Sequence, residues 1–233
     1  ASTTTVEDAR AIAAKGGCVM AMHNFYPRPE TGLDEDYFRE ITESLRQAGL
    51  KVLAFIPGDA RKRGPVFEGL PTLESHRHIL PSAAFADLAL NYGLEAIFVG
   101  DPGISRTEID RIDRFCREGI LSIPCEIQED WQYLYDQVFT CRMDSPKRLV
   151  RFQESRTYSC QGPTTELANC IPRTRGSLTI DNLRYGRYSG EIMLIRSDLP
   201  ADDRVNVIGH VPENALLLLD LIGRGRKFTL VRP

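Results

Sequence analysis

One unit repeats through the first half of the chain: an amphipathic helix, a glycine, then a short apolar strand. The first helix is predicted to begin at Thr5, with Asp8 as its capping-box partner, and to stop at Gly16 before a strand over Cys18–His23. The second places Tyr37, Phe38, Ile41, Leu45 and Ala48 on one face, stops at Gly49 and leads into a strand over Lys51–Ile56. The third carries Phe85, Leu88 and Ala89, stops at Gly93 and leads into Glu95–Val99. A fourth starts at Ser105, with Glu108 expected to complete a capping box and Ile104 to staple Ile109. Helices alternating with short apolar strands imply parallel strands and right-handed crossovers. Periodicity leaves a doubly wound sheet and a barrel both open. No glycine-rich dinucleotide or phosphate-loop motif follows any strand.

Beyond residues 118–124 the pattern changes. Ile120–Ile127, Val138–Cys141, Ser177–Ile180, Glu191–Ile195, Arg204–Ile208 and Lys227–Val231 read as short strands, with one helix over Glu213–Leu221. Asp181-Asn182 reads as a turn and Tyr185–Tyr188 as a strand. A small barrel or compact sandwich is expected there.

Composition narrows the function classes. The chain is 42% hydrophobic and 26% charged, as a folded protein requires. A net charge of −3 gives no electrostatic pull toward nucleic acid or anionic lipid. No apolar run approaches the ~20 residues of a membrane span, so a membrane partner is not expected. The six cysteines form no C-x-x-C pair, and none of the four histidines lies at zinc-ligand spacing. Six reduced thiols fit a cytoplasmic location. Neither a metal nor another cofactor is expected.

The chemistry gathers where the strands end. In αβ barrels reactive groups sit on the loops after the strands, and here those loops are rich in polar residues. The first contains His23, Asn24, Tyr26, Arg28 and Thr31, with prolines on both sides of Arg28 that hold it extended. So many donors suit a phosphate or a polyhydroxylated sugar. The second runs from Pro57 through the basic Arg61-Lys62-Arg63 to Glu68, Glu74 and Arg77. Glu68, between Phe67 and Gly69, is a candidate carboxyl with a raised pKa; Glu74 also fits as a complement to a helix dipole. In the third, Asp101 is fixed between Gly100 and Pro102, at the position that faces a barrel's mouth. Arg156 and Asn206 are further candidates in the second half.

The stretches H-N-F-Y-P-R-P-E-T-G-L (23–33), R-G-P-x-x-E-G-L-P-T-L-E-x-H-R (63–77), G-D-P (100–102), D-N-x-x-Y-G-R-Y-x-G-E (181–191) and R-V-N-V-I-G (204–209) resemble the bacterial 6-phospho-N-acetylmuramidases. The resemblance covers nearly the whole chain, as the C-terminal two-thirds of that family. It implies the C-terminal part of a TIM-type (β/α)8 barrel over residues 1–120 and a small cyclophilin-like β-barrel domain over 121–233. It also implies a glycoside hydrolase that cleaves N-acetylmuramic acid 6-phosphate–N-acetylglucosamine during cell-wall sugar recycling. Such hydrolysis uses two carboxyl groups. Asp101 is expected as one and Glu68 as the next candidate, while His23, Asn24, Tyr26, Arg28, Thr31, Glu74, Arg77 and Arg156 would hold the phosphorylated disaccharide. Three αβ units fall short of a closed barrel of about 250 residues, which predicts roughly 120 further residues ahead of Ala1. An N-terminal fragment or a second protomer would then complete the sheet. A sugar-phosphate isomerase or aldolase would need a Schiff-base lysine or a metal, and Lys15, Lys51 and Lys62 do not end strands. A carbohydrate- or peptide-binding module rests on fold analogy alone.

Overall fold

The computed structural model describes residues 5–16, 19–155 and 165–233. It is a mixed α/β chain that divides into two compact units, Ala1–Ile112 and Asp113–Pro233.

In the first unit Thr5 caps α1 (Val6–Ala13) by the expected capping box with Asp8. Asp34 caps α2 (Glu35–Gln47) through the Tyr37 N–H, and Pro81 opens α3 (Pro81–Leu90). Three parallel strands lie in the order β1 (Met20–Met22), β2 (Lys51–Ile56), β3 (Ala96–Val99). In register, Ala21 stands opposite Val52 and Ala54 opposite Ile97. Alternation along β2 sends Val52, Ala54 and Ile56 into the core. Ala54 and Ile56 meet Phe38, Leu73, Ala84 and Leu88, while Val52 meets Ala9, Leu45 and Leu50. Tyr37, expected on the buried face of α2, is exposed; Phe38, Thr42 and Leu45 fill that face instead.

α4 (Arg106–Glu118) starts as predicted, with the Ser105 hydroxyl accepting from the Glu108 N–H at 3.2 Å. The reciprocal half of the box is absent. The Glu108 carboxylate is buried and accepts instead from the Ser82 N–H at 2.7 Å and from Arg111 at 2.6 Å. The Ser105 N–H donates to Asp59 Oδ1. Leu80, which precedes α3, offers no capping side chain. A carboxylate from the next helix therefore supplies the acceptor that this N-terminus lacks.

The second unit is mostly β. Leu121–Pro124 (β4) pairs in parallel with Lys227–Val231 (β11), which pairs antiparallel with Val138–Thr140 (β6). The other sheet is antiparallel, in the order β5 (Glu126–Ile127), β10 (Val205–His210), β8 (Ser177–Asp181), β9 (Ile192–Ile195), β7 (Leu149–Arg151). The chain passes from one sheet to the other at Cys125, between β4 and β5. Phe139, Phe152 and Phe228 stack at centroid distances of 4.8–5.9 Å in the core. The helix expected over Glu213–Leu221 forms as a 3-10 turn, Glu213–Ala215, followed by α5 (Leu217–Leu221). Tyr185–Tyr188, expected as a strand, lies in a 3-10 turn over Leu183–Tyr188. Gly186 takes a φ of 58° there, and Asn182 caps the turn through the Arg184 N–H. The strand β7 was not apparent in the sequence, because three residues are too few to show alternation.

Candidate functional site

The three loops that follow β1, β2 and β3 are joined by two side chains. Arg77 is 2% exposed, and all five of its N–H groups are engaged. Its Nε and one terminal nitrogen bind both oxygens of Glu74 at 2.6 Å. The remaining donors reach the carbonyls of Tyr26 at 3.0 Å, Arg28 at 3.1 Å and Gly69 at 3.2 Å. Glu74 also accepts from the N–H groups of Glu30 at 2.9 Å and Gly32 at 2.7 Å. The Arg77 fork, joined by these two amides, lowers its carboxyl to about 2. The pair binds the first loop to the second.

Asp101 joins the second loop to the third. It is 6% exposed; Oδ2 accepts from the N–H groups of Gly58 at 2.9 Å and Leu70 at 3.0 Å, and Oδ1 from that of Arg63 at 3.0 Å. Gly58 allows this approach, since a Cβ there would lie 2.2 Å from the Gly103 carbonyl. Thr72, which lies within the second loop's motif but was not among the expected site residues, completes the scaffold. Its hydroxyl donates to the Asn24 carbonyl and accepts from the Phe55 N–H, each at 2.9 Å.

The predicted site residues thus separate by position. Arg77, Glu74 and Asp101 are committed to holding the loops, and no donor of Arg77 remains for a phosphate. His23 is placed in the core and not among the loop-facing groups. It is 1% exposed, its ring lies 4.5 Å from Phe38, and Nε2 bonds the Thr42 hydroxyl at 2.9 Å. Burial lowers its imidazole to about 4, which keeps it neutral. Thr31 closes a local turn on the Arg28 carbonyl at 2.6 Å. Tyr26 is half-buried, and burial raises its phenol.

What the scaffold presents outward is different. Asn24 and Arg28 have exposed side chains. Glu68 is half-buried, and its carboxylate has no hydrogen bond or ion pair to a described residue. It stands between two left-handed residues, Phe67 at φ 61° and Gly69 at φ 87°. Phe67 beside it is 61% exposed. Arg63 lies 5.8 Å from the Phe25 ring, and Arg61 is exposed. The second loop therefore offers an open carboxylate next to an apolar ring. The first offers an exposed arginine, which lies at a bend leading into the Pro29–Glu30 turn and not in the extended backbone expected from its flanking prolines, and the carbonyls of Tyr26, Arg28 and Gly69 converge on one guanidinium. Arg156 lies outside the described residues.

Polar loops gathered at the carboxyl ends of parallel strands place the chain in the α/β class, with its polar side chains concentrated at the strand ends. Residues 1–114 match the family model described as 6-phospho-N-acetylmuramidase, N-terminal, and residues 121–231 match its C-terminal counterpart. The chain belongs to the 6-phospho-N-acetylmuramidase family. A solved structure of a conserved Enterococcus faecalis protein of unknown function is 34% identical, with a TM-score of 0.87, over 99% of this chain and 64% of that one. An uncharacterized B. cereus protein is 26% identical, with a TM-score of 0.76, over 95% and 66%. The chain thus spans a little less than two thirds of the length of these two relatives. No curated protein matches it.

Proposed function

We propose that the protein is a cytoplasmic glycoside hydrolase that cleaves N-acetylmuramic acid 6-phosphate–N-acetylglucosamine, on a TIM-type barrel followed by a cyclophilin-like domain. The observation that carries this reading is the loop cluster in a chain matched along its length by the two family models. In it, Arg77 pins the backbone at Tyr26 and Arg28 and beside Glu68, while the Arg28 side chain is exposed and the Glu68 carboxylate has no hydrogen bond or ion pair to a described residue.

A phosphorylated sugar needs a donor fork for its phosphate, and the exposed Arg28 side chain can supply it. Arg61 and Lys62, which make no ion pair with a described residue, add to the positive field around the phosphate. The exposed Phe67 and the side chains of Asn24 and Tyr26 would meet the sugar's C–H face and hydroxyls. Glycoside hydrolysis needs a carboxyl with lone pairs or a proton available to the scissile bond. Glu68 meets that requirement, whereas both oxygens of Asp101 are taken by backbone N–H groups. In this reading Glu68 is the reacting carboxyl supplied by these loops, and Asp101 is a positioning residue.

The two roles separate in one experiment. Glu68→Gln should reduce turnover about a thousandfold or more with the melting temperature unchanged, in line with the loss of an acid–base group together with its charge. Asp101→Asn should lower turnover and melting temperature together, because one of its three N–H partners faces an amide NH2. Wild-type turnover in Glu68→Gln would remove Glu68 from the mechanism.

A further inference from the structure

The second unit contains a cavity of about 350 Å³ against the five-stranded sheet, on the side of β8, β9 and β7. Its apolar floor is Leu149, Met193, Ile195 and Val205. Asp181, the last residue of β8, lines it and is 4% exposed. Its backbone is fixed on both sides, donating to the Glu191 carbonyl and accepting from the Gly190 N–H. Its carboxylate, however, has no hydrogen bond or ion pair to any described residue.

The neighbouring charges are matched with one another. Arg142 binds Asp144 at 2.7 Å, Arg151 binds Glu191 at 2.8 Å, and Arg204 binds Asp202 at 2.8 Å. Once those pairs are drawn, Asp181 and Arg173 remain. Arg173 also lines the cavity; its Nε donates to the Pro200 carbonyl at 3.0 Å, and its terminal nitrogens reach no described acceptor. Asp181 and Arg173 are themselves more than 4 Å apart, since they form no ion pair. A buried carboxylate without donors is costly, and here it shares an open space with an arginine that has donors to spare.

We propose that this cavity is a second ligand site, for a small anionic sugar. Arg173 meets the phosphate or carboxylate, Asp181 takes the hydroxyls, and the apolar floor packs against the C–H face of the ring. The volume lies in the range of small-molecule sites. Arg–anion forks and hydroxyl–carboxylate bonds are the strong, charge-assisted kind. Burial raises the Asp181 carboxyl to about 7, with Glu191 adding to the effect, so at neutral pH it can both donate to and accept from a hydroxyl. The proposal does not rest on the cleavage reading, which concerns the other unit.

The test is methyl-resolved NMR of the protein, titrated separately with glucose 6-phosphate, glucuronate, glucose and inorganic phosphate. The two anionic sugars should shift the methyls of Met193 and Ile195, with glucose and inorganic phosphate at least about tenfold weaker. Arg173→Met and, as a milder variant, Arg173→Lys should each weaken glucose 6-phosphate about tenfold or more at these methyls. Arg28→Ala should leave them unaffected. Unmoved methyls under saturating anionic sugar would overturn the proposal. So would equal binding of inorganic phosphate, or sensitivity to Arg28→Ala but not to Arg173→Met. Cleavage of the phosphorylated disaccharide is a separate readout, so the failure of either reading is distinguishable from that of the other.

Discussion

Arg28 and Arg77 both belong to the loop cluster, but their donors go to different places, and substitution by lysine separates them. Arg77 is buried with five N–H groups in use; a lysine offers three donors and no planar fork. Arg77→Lys should destabilise the protein by about 3 kcal/mol, the scale of breaking a buried ion pair, read by denaturant unfolding. Arg28→Lys should leave stability within about 0.5 kcal/mol, as for exposed positions, but reduce the preference for phosphorylated over unphosphorylated substrate. An equal loss on both substrates would make Arg28 structural. Asp181 gives a pH test. Its carboxyl is raised from its ordinary 3.8 to about 7 by burial, so between those values the folded chain holds a proton that the unfolded chain has released. Stability therefore falls as pH rises through that window and stays low above it. Asp181→Asn should raise the melting temperature by several degrees at pH 8 and scarcely at all at pH 4. A variant equally stable or less stable than wild type at pH 8 would contradict this.

At the scale of elements, α3 and α4 are coupled through one carboxylate. Glu108→Ala strands the Ser82 N–H and removes the buried Glu108–Arg111 ion pair, and should cost about 2–4 kcal/mol. Asp110→Ala, on the exposed face of the same helix and paired with Arg106, should cost less than about 0.5 kcal/mol. Similar losses from both would show that Glu108 is not a cap. This helix also shows how far the sequence could be read. Ser105 followed by Glu108 correctly marks where the helix starts, because that signal is local. It misassigns the Glu108 side chain, because Ser82 is 26 residues away. The strand over Lys51–Ile56 was legible to the residue, since Gly49 stops the helix ahead of it and an unbroken apolar run follows; which of its residues face the core was not. The loops were legible as polar and crowded, but the division of labour within them was not. Whether a carboxylate is open, like Glu68, or saturated, like Asp101, depends on backbone amides 31 to 43 residues distant. Tyr185–Tyr188 misled for a related reason: aromatic composition favours a strand, whereas Asn182 caps the segment as a turn.

Across the whole molecule, the proposed reaction rests on membership of the 6-phospho-N-acetylmuramidase family together with an open carboxylate and an exposed arginine on one scaffold. Among the described residues no helix is long and apolar enough to cross a membrane. The direct measurement is mass spectrometry of the products formed by the protein from N-acetylmuramic acid 6-phosphate–N-acetylglucosamine, alongside the unphosphorylated disaccharide. The account predicts release of N-acetylmuramic acid 6-phosphate and N-acetylglucosamine from the first. It predicts little or no cleavage of the second, and loss of the reaction in Glu68→Gln. An intact phosphorylated disaccharide, or equal cleavage of both substrates, would contradict it.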